Sequence, residues 1–421
     1  MPSTDPAPTS PAPMSTREVL RFGGVLPLLV ANGVLFTGVA LQAAVLGLQA
    51  YEITGRKADL GWIGLCEFLP AALLVLVTGS VADRFDRKRI ALYAIAGEVV
   101  CSVALMLYAF TDPTEVWPLF VIAFVYGIAR AFLAPATRPM PAMVAPEGGI
   151  PKVIAMWSAT WTGATILGPA VSGLLFSVAA WAPYFVSALM ITVSGVFISG
   201  LRFERQPDRP APDDRPTFRS AIEGLVFVKR TPILLAAIGL DLFAVLFGGA
   251  VALLPAIADE RLGVGNVAYG FLRSAPGLGA AAMAVFLAFK PLRRHIGRSL
   301  LLAVFVFGTA TVVLGATRSF LVAFLALVVL SGADMVSVYI RGSLVPLVTP
   351  DEKRGRVMAV ENVFIGASNE LGAFESGIVA QAAGTPATVI GGGVATIVVV
   401  GVWWLGFPSL RKVDRFEDLG H

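Results

Sequence analysis

The segment GSVADRFDRKR, residues 79–89, decides the fold of this chain. It separates two runs of residues, 60–80 and 90–110, each of which contains a single charged side chain. A run of ~20 apolar residues is long enough to cross a bilayer. Loops rich in Lys and Arg stay on the cytoplasmic side of a membrane, and this one carries Arg84, Arg87, Lys88 and Arg89. The segment therefore predicts a multi-span membrane protein and the orientation of its second and third spans.

The composition of the whole chain agrees with a membrane protein. Hydrophobic residues make up 56% of the 421 residues, charged residues make up 14%, and the mean hydropathy is +0.78. Soluble domains carry about 25% charged residues. The net charge of +4 reflects basic loops and does not indicate a nucleic-acid partner.

The sequence lacks the motifs of common enzymes and cofactor sites. It contains no Gly-Lys dipeptide, which excludes a P-loop ATPase, and no Gly-x-Ser-x-Gly elbow. The two histidines, His295 and His421, are far apart, so no metal site is predicted. Cys66 and Cys101 both lie inside apolar runs, which does not indicate a disulfide framework. We therefore expect no enzymatic activity, no cofactor and no bound metal.

The hydropathy pattern predicts an all-α integral membrane protein with twelve spans. With both termini in the cytoplasm, the predicted cytoplasmic loops hold 20 Lys and Arg residues, whereas the periplasmic loops hold four. An odd number of spans would destroy this asymmetry, so it fixes the predicted orientation. The spans are residues 25–50, 60–82, 90–110, 116–137, 153–179, 182–203, 232–257, 266–289, 299–316, 319–345, 357–382 and 386–407.

The longest predicted loop divides the chain into two halves of six spans. It carries a short amphipathic pattern with Phe218, Ile222 and Leu225 on one face, which predicts a surface helix leading into span 7. The proline-rich start of the chain predicts a disordered cytoplasmic tail. The predicted parts are the tail 1–20, the N-terminal half 21–203, the linker 204–231, the C-terminal half 232–410 and a cytoplasmic tail 411–421.

The two halves repeat at a constant offset of 204 residues. Leu167-Gly168-x3-Ser172-Gly173 in span 5 corresponds to Leu371-Gly372-x3-Ser376-Gly377 in span 11. The cytoplasmic loop repeats loosely, because residues 294–298 take the place of residues 83–87 and lose the Asp. Duplicated six-span halves with a substrate site between them are a known plan for transporters.

Two motifs resemble the major facilitator superfamily. Gly79, Asp83, Arg84, Arg87 and Lys88 resemble its signature in the loop between spans 2 and 3, although Asp86 stands where the signature has Gly. Ala164-x3-Gly168-Pro169-x2-Ser172-Gly173 resembles its span-5 antiporter motif, with Ala164 and Ser172 replacing glycines. The resemblance implies the twelve-helix facilitator fold and favours export over uptake, whereas ordinary tight helix packing would also explain the span-5 residues.

Shorter phrases narrow the resemblance to one bacterial branch. Residues 253–255, 350–358 and 368–372 resemble the branch that includes enterobactin exporters and macrolide efflux proteins. The implied protein lies in the bacterial inner membrane among lipids, works as a monomer, and exchanges protons for a small-molecule substrate.

Charged residues inside the spans are the candidates for function. Each costs ~2.5–3.5 kcal/mol at the middle of a membrane, so it normally faces a cavity or a partner. We expect proton coupling from Asp241, Asp334, Glu370 or Glu98, and rank Asp241 first because its own span offers no cation nearby. Arg130 and Arg341 are the predicted charge partners. Arg130 would face Asp334, which lies 204 residues later, if both lie near the two-fold axis that relates the halves. For Glu67 and Arg273 we expect snorkelling or structural contacts.

The sequence thus predicts a secondary active transporter, most simply a proton-coupled exporter of a small, partly hydrophobic molecule such as a drug or siderophore. Uptake or uncoupled facilitated transport stays open as an alternative. A transporter-like membrane receptor or assembly scaffold is the alternative from another class, and it would be indifferent to neutralisation of the acids inside the spans.

Overall fold

Twelve long helices make up most of the part of the chain that the structure describes, and they follow the order of the predicted spans. The computed structural model describes residues 14–146, 148–203 and 218–419. We label the helices α1 (Val25–Thr54), α2 (Lys57–Arg84), α3 (Arg87–Ala109), α4 (Trp117–Thr137), α5 (Ile150–Val178), α6 (Ala182–Gly200), α7 (Pro232–Leu262), α8 (Asn266–Phe289), α9 (Ile296–Ala316), α10 (Phe320–Val348), α11 (Asp351–Ala383) and α12 (Thr385–Gly406).

Eleven of these helices are long and apolar enough to cross a membrane, judged over the described residues, and α11 is the exception. It has 33 residues, enough to span a bilayer, but its sequence is the most polar of the set. It packs against α2 and α7, so protein covers part of its polar surface. The predicted all-α fold with two six-helix halves is confirmed, with α11 as its polar member.

Two predicted boundaries differ from the structure. Residues 353–356 were expected in a loop, but they belong to the first turns of α11. Residues 16–20 were expected in the N-terminal tail, but they lie in a helix that spans Thr16–Arg21 and buries Val19 completely. Ser15 begins that helix with a capping box, in which the Glu18 amide donates to Ser15 Oγ and the Ser15 amide donates to the Glu18 carboxylate. The rest of the predicted tail, residues 1–13, lies outside the described residues.

The repeated glycines pack the halves together in a symmetrical way. A Cβ atom at Gly168 would collide with α1, and a Cβ at Gly173 would collide with the backbone of α8. At the equivalent positions of α11, Gly372 lies against α7 and Gly377 lies against α2. Each motif helix therefore contacts the first helix of its own half and one helix of the opposite half, which explains the small residues by close backbone approach.

The apolar cores show which side of the protein is closed. We name the two faces by the predicted orientation. One core on the periplasmic side contains residues of both halves, including Leu46 of α1 and Leu272 of α8. On the cytoplasmic side the halves have separate cores, one around Leu28 and the other around Leu300. Among the described residues, the halves are therefore joined at the periplasmic side and separate at the cytoplasmic side.

Helix α7 is irregular in its periplasmic half. An α-helix over Pro232–Phe247 gives way to a 3₁₀ segment at Gly249–Leu253, one short turn at Leu254–Ala256, and a π-helical turn at Ile257–Leu262. Gly248 starts the irregular stretch, and a Cβ there would collide with the ring of Phe307. Such π turns often occur at functional sites, and this one presents Asp259 and Glu260 to the opposite half.

Candidate functional site

The signature loop ties α3 to α6 on the cytoplasmic side. Lys88 Nζ donates to the carbonyls of Ser199 and Leu201 at the end of α6, both at 2.7 Å. A cation at a helix C-terminus is favoured by the exposed carbonyls and the helix dipole. Arg87 Nε donates to the carbonyl of Ala82 at 3.3 Å. Gly79 has open space around it, Arg84 is exposed, and the side chain of Asp83 lies outside the described residues.

Asp86, which departs from the family signature, caps α3. Its carboxylate accepts a hydrogen bond from the Arg89 amide at 2.9 Å. Its backbone has φ −63°, which any residue adopts, so this turn does not need the glycine of the signature.

The C-terminal segment completes the corresponding loop of the other half. Residues 294–298 lack the Asp of the signature, but Asp414 comes from beyond α12 to the same place. Its carboxylate accepts from the His295 amide at 3.0 Å and lies 3.3 Å from Arg294 Nε. The backbone hydrogen bond from His295, and then Arg294, hold the pKa of Asp414 below its ordinary value of 3.8.

The first charge cluster lies between the halves and involves four helices. Arg130 Nη1 of α4 lies 3.4 Å from Glu67 Oε2 of α2. Glu370 of α11 and Arg273 of α8 belong to the other half, and their charges act on this pair. The Arg130 side chain keeps 48% of its surface exposed, so solvent reaches this cluster.

Glu98 of α3 is buried without a hydrogen-bonding partner. It is fully buried, and neither carboxylate oxygen meets a donor among the described residues. The hydroxyl of Tyr126 nearby is also unpaired, and Arg130 is close enough for its charge to act on Glu98. An unpaired buried carboxylate is costly when ionised, so this position favours the neutral acid.

The second charge cluster lies inside the C-terminal half. Arg341 Nη2 of α10 binds Asp241 Oδ1 of α7 at 2.8 Å, and its Nη1 lies 3.4 Å from Glu361 Oε1 of α11. Arg341 Nε donates to Ser337 Oγ at 3.4 Å. Both Arg341 and Asp241 are buried, at 3% and 5% exposure, so this ion pair is largely shielded from solvent.

Asp334 adds a third carboxylate to the second cluster. It lines a cavity with Asp241 and Ser337, with the ring of Phe307 on the apolar side. The cavity has a volume of about 10 Å³, which is roughly the space that one water molecule needs. It is therefore far too small for a drug-sized ligand. Among the described residues Asp334 makes no ion pair, so three carboxylates share the single cation Arg341.

A polar latch closes the periplasmic side and centres on Glu260. Its carboxylate lies 2.7 Å from Lys57 Nζ of α2, and it accepts from Tyr51 of α1 at 3.2 Å. Thr385 of α12 donates to its second oxygen at 2.7 Å. The backbone amide of Lys57 also donates to Gln381 of α11 at 2.9 Å. Four helices outside α7 therefore meet at this point, and the contacts join the two halves.

The structure brings some of the expected charge partners together and separates others. Arg341, one of the two expected partners, lies against Asp241. Arg130 does not face Asp334, because Arg130 pairs with Glu67 and Asp334 lies beside Asp241. The helix that carries Asp241 offers it no cation, as expected, but α10 supplies Arg341.

The sequence reasoning missed three residues of these sites. Glu361 lies inside the predicted span 357–382, and that position was the available signal. In the sequence pattern Lys57 is only a cation of a periplasmic loop, and Glu260 carries no signal at all. The two residues are 203 positions apart, and only the folded chain brings them together.

Two six-helix halves, sealed at one face and holding buried charges, define a membrane protein of the transporter type. A sequence model of the Major Facilitator Superfamily matches residues 28–340, and the chain belongs to this family. A solved structure of the nucleoside transporter NupG shares the fold, with a TM-score of 0.70, 12% identity, and coverage of 93% of this chain and 100% of NupG.

Three curated bacterial proteins are similar in sequence. The uncharacterized MFS-type transporter YfiS of Bacillus subtilis is 28% identical over 51% of each chain. Macrolide efflux protein A of Streptococcus pyogenes is 27% identical over 48% of this chain and 50% of its own. This chain therefore matches about half the length of each of these two relatives. The multidrug efflux pump Tap of Mycolicibacterium fortuitum is 24% identical over 93% of this chain and 97% of its own.

Proposed function

We propose that this protein is a proton-coupled exporter of a small, partly hydrophobic molecule, working by alternating access in the bacterial inner membrane with both termini in the cytoplasm. The observation that carries the proposal is the surplus of acid in the second cluster, where Asp241, Asp334 and Glu361 surround Arg341. When buried carboxylates outnumber the cations beside them, the unpaired carboxylates must take up a proton, because burying their charged form is very costly. A site that holds protons inside a membrane is what a proton-driven transporter requires.

The distribution of contacts between the halves supports alternating access. The shared core and the Glu260 latch hold the periplasmic side closed, while the cytoplasmic cores are separate. Rocking one half against the other would break the latch and bring the cytoplasmic ends together. Gly173 of α5 contacts Gly270 of α8, and Gly61 of α2 contacts Gly377 of α11. Because glycines have no side chains to interlock, the helices can slide past each other at these two crossings.

The proton gradient is sufficient for export. One proton moving across ~100 mV supplies ~2.3 kcal/mol, and one unit of pH difference adds ~1.4 kcal/mol. The total sustains a substrate gradient of several hundred-fold, at ~1.4 kcal/mol per factor of ten.

The direction and the substrate class rest on the relatives and on α5. Efflux is named for two of the three similar proteins, one for macrolides and one for multiple drugs. Gly168, Pro169 and Gly173 resemble the antiporter motif and occupy the contacts of α5 with α1 and α8. The proposed substrate site lies between the halves, where Arg130 keeps 48% of its side chain exposed, because the cavity beside Asp334 is too small for a molecule of drug size.

Efflux from proteoliposomes tests the proposal, with a radiolabelled macrolide and ethidium as probes. We expect an imposed pH gradient to drive movement of at least one probe in the export direction. Asp334→Asn or Asp241→Asn should retain binding but lose gradient-driven efflux, because the proton site is removed. Glu370→Gln and Glu98→Gln test the two remaining candidates, and Glu375→Gln, a less buried acid of α11, is the matched control.

Each alternative has its own outcome. Movement in the opposite direction would favour uptake, and movement that ignores the gradient would favour uncoupled transport. If all four neutralised variants remain as active as Glu375→Gln, proton coupling through these acids is wrong.

A further inference from the structure

The helix Phe218–Arg230, which we call the linker helix, has two different faces. One face is fixed to the start of α11. Arg356 Nη1 lies 2.6 Å from Glu223 Oε2, and Lys353 Nζ sits 4.8 Å from the centre of the Phe227 ring. Gly224 lies directly against the backbone of Arg356. The linker helix is therefore a docked part of the C-terminal half.

The opposite face is apolar and is exposed among the described residues. Ile222, Leu225 and Val226 are exposed by 46%, 44% and 41%. At ~3.6 residues per turn, they share one side of the helix with Lys229. Lys229 and the following Arg230 are both exposed. Apolar residues that end in a pair of cations are typical of helices lying in a membrane interface.

The position of the linker helix identifies what covers this face. Only Thr231 separates it from α7, which starts at Pro232 and crosses the membrane. The linker helix must therefore lie at the level of the cytoplasmic membrane surface. There the apolar side chains reach the acyl chains, while Lys229 and Arg230 extend toward headgroup phosphates.

We propose that the free face of the linker helix is a binding surface for anionic phospholipid of the inner leaflet. Ile222, Leu225 and Val226 enter the upper acyl region, and Lys229 with Arg230 bind the phosphate groups. Because Glu223 holds the helix to Arg356, lipid binding also fixes the cytoplasmic end of α11. The surface does not depend on what the protein transports.

The test uses the full chain in nanodiscs made of neutral phosphatidylcholine, with or without anionic phosphatidylglycerol. A fluorophore is attached to Ile222→Cys or Leu225→Cys after Cys66 and Cys101 are replaced by Ser. Lipids with a spin label on the acyl chain act as quenchers. We expect quenching at both positions and none at the control Glu352→Cys, which is exposed at the start of α11.

The cations give the second arm of the test. Lys229→Gln with Arg230→Gln should lower the preference of the labelled helix for anionic lipid by roughly fivefold per cation removed. The matched control is Lys290→Gln with Arg293→Gln, two exposed cations of the next cytoplasmic loop. An equal effect of both pairs would overturn the assignment of the charges.

Two results would overturn the surface itself. Quenching at position 222 no stronger than at position 352 would place the helix in water. Protection from an aqueous quencher without quenching by the lipid label would mean that a second copy of the chain covers the face.

Discussion

The N-terminal half leaves its arginine half exposed, whereas the C-terminal half encloses its arginine. Arg130 makes one long contact with Glu67 at 3.4 Å and keeps 48% of its side chain exposed. Arg341 has 4% of its side chain exposed and contacts Asp241, Glu361 and Ser337. Solvent therefore reaches Arg130, while Arg341 contacts only residues of its own half.

The glycines of α5 and α11 differ from the arginines, because they make equivalent contacts in both halves. Gly168 and Gly372 each contact the first helix of their own half, and Gly173 and Gly377 each contact the opposite half. The duplicated fold has therefore kept its helix packing and changed its charges.

The largest expected effect is the difference in stability between variants of the two arginines. Arg341→Met leaves Asp241 and Glu361 buried without a cation, which costs about 3–5 kcal/mol. Arg130→Met should cost much less, because solvent reaches that site. Thermal unfolding in nanodiscs compares the two, and equal losses would contradict the difference between the halves.

The glycines should agree between the halves. Gly168→Ala and Gly372→Ala each force a methyl group into a neighbouring helix and should cost about 1–3 kcal/mol. Gly163 of α5 has open space around it, so Gly163→Ala is the matched control and should be neutral or stabilising by up to ~1 kcal/mol. Unfolding temperatures that separate Gly168→Ala widely from Gly372→Ala would show that the packing is not symmetrical.

The latch should set the balance between closed and open periplasmic sides. Lys57→Met removes the ion pair with Glu260, which is partly exposed, so we expect a shift of about 1 kcal/mol, or roughly fivefold, toward the open state. Spin labels at Thr114→Cys and Arg318→Cys, on the periplasmic loops of the two halves, report the change as a longer distance. Arg56→Met, the neighbouring cation without an ion pair among the described residues, is the control. An unchanged distance distribution in Lys57→Met would mean that the shared apolar core alone holds this side closed.

The smallest expected effect is the contribution of Asp414 to the way stability falls at acidic pH. The lowered pKa of Asp414 means that the folded state prefers the charged carboxylate. Its contribution to the free energy of unfolding is therefore present above the ordinary pKa of 3.8, and it is lost as the pH falls through the lower pKa of the folded state. Asp414→Asn should lose this part of the acid dependence, and Glu352→Gln, an exposed acid, should not. Unfolding temperatures measured from about pH 6 to about pH 3 test this, and parallel curves for the two variants would contradict it.

The helices were predictable because each one is coded locally. Long apolar runs and loop cations fixed the twelve spans, and the repeat of Gly168 and Gly173 at Gly372 and Gly377 predicted equivalent packing. Charge partners were not predictable in the same way. The 204-residue offset placed Arg130 opposite Asp334, but the helices carrying them turn their side chains toward other neighbours. Rotation of a helix by one residue, about 100°, decides such a contact, and the sequence pattern does not resolve it.

Asp414 lies 119 residues after His295, whose amide it accepts from. During synthesis, the loop between α8 and α9 therefore lacks this contact until α9 to α12 and residue 414 have been added. Until then the backbone amide of His295 and the side chain of Arg294 have no carboxylate from Asp414 beside them. A deletion that removes residue 414 would make that loss permanent.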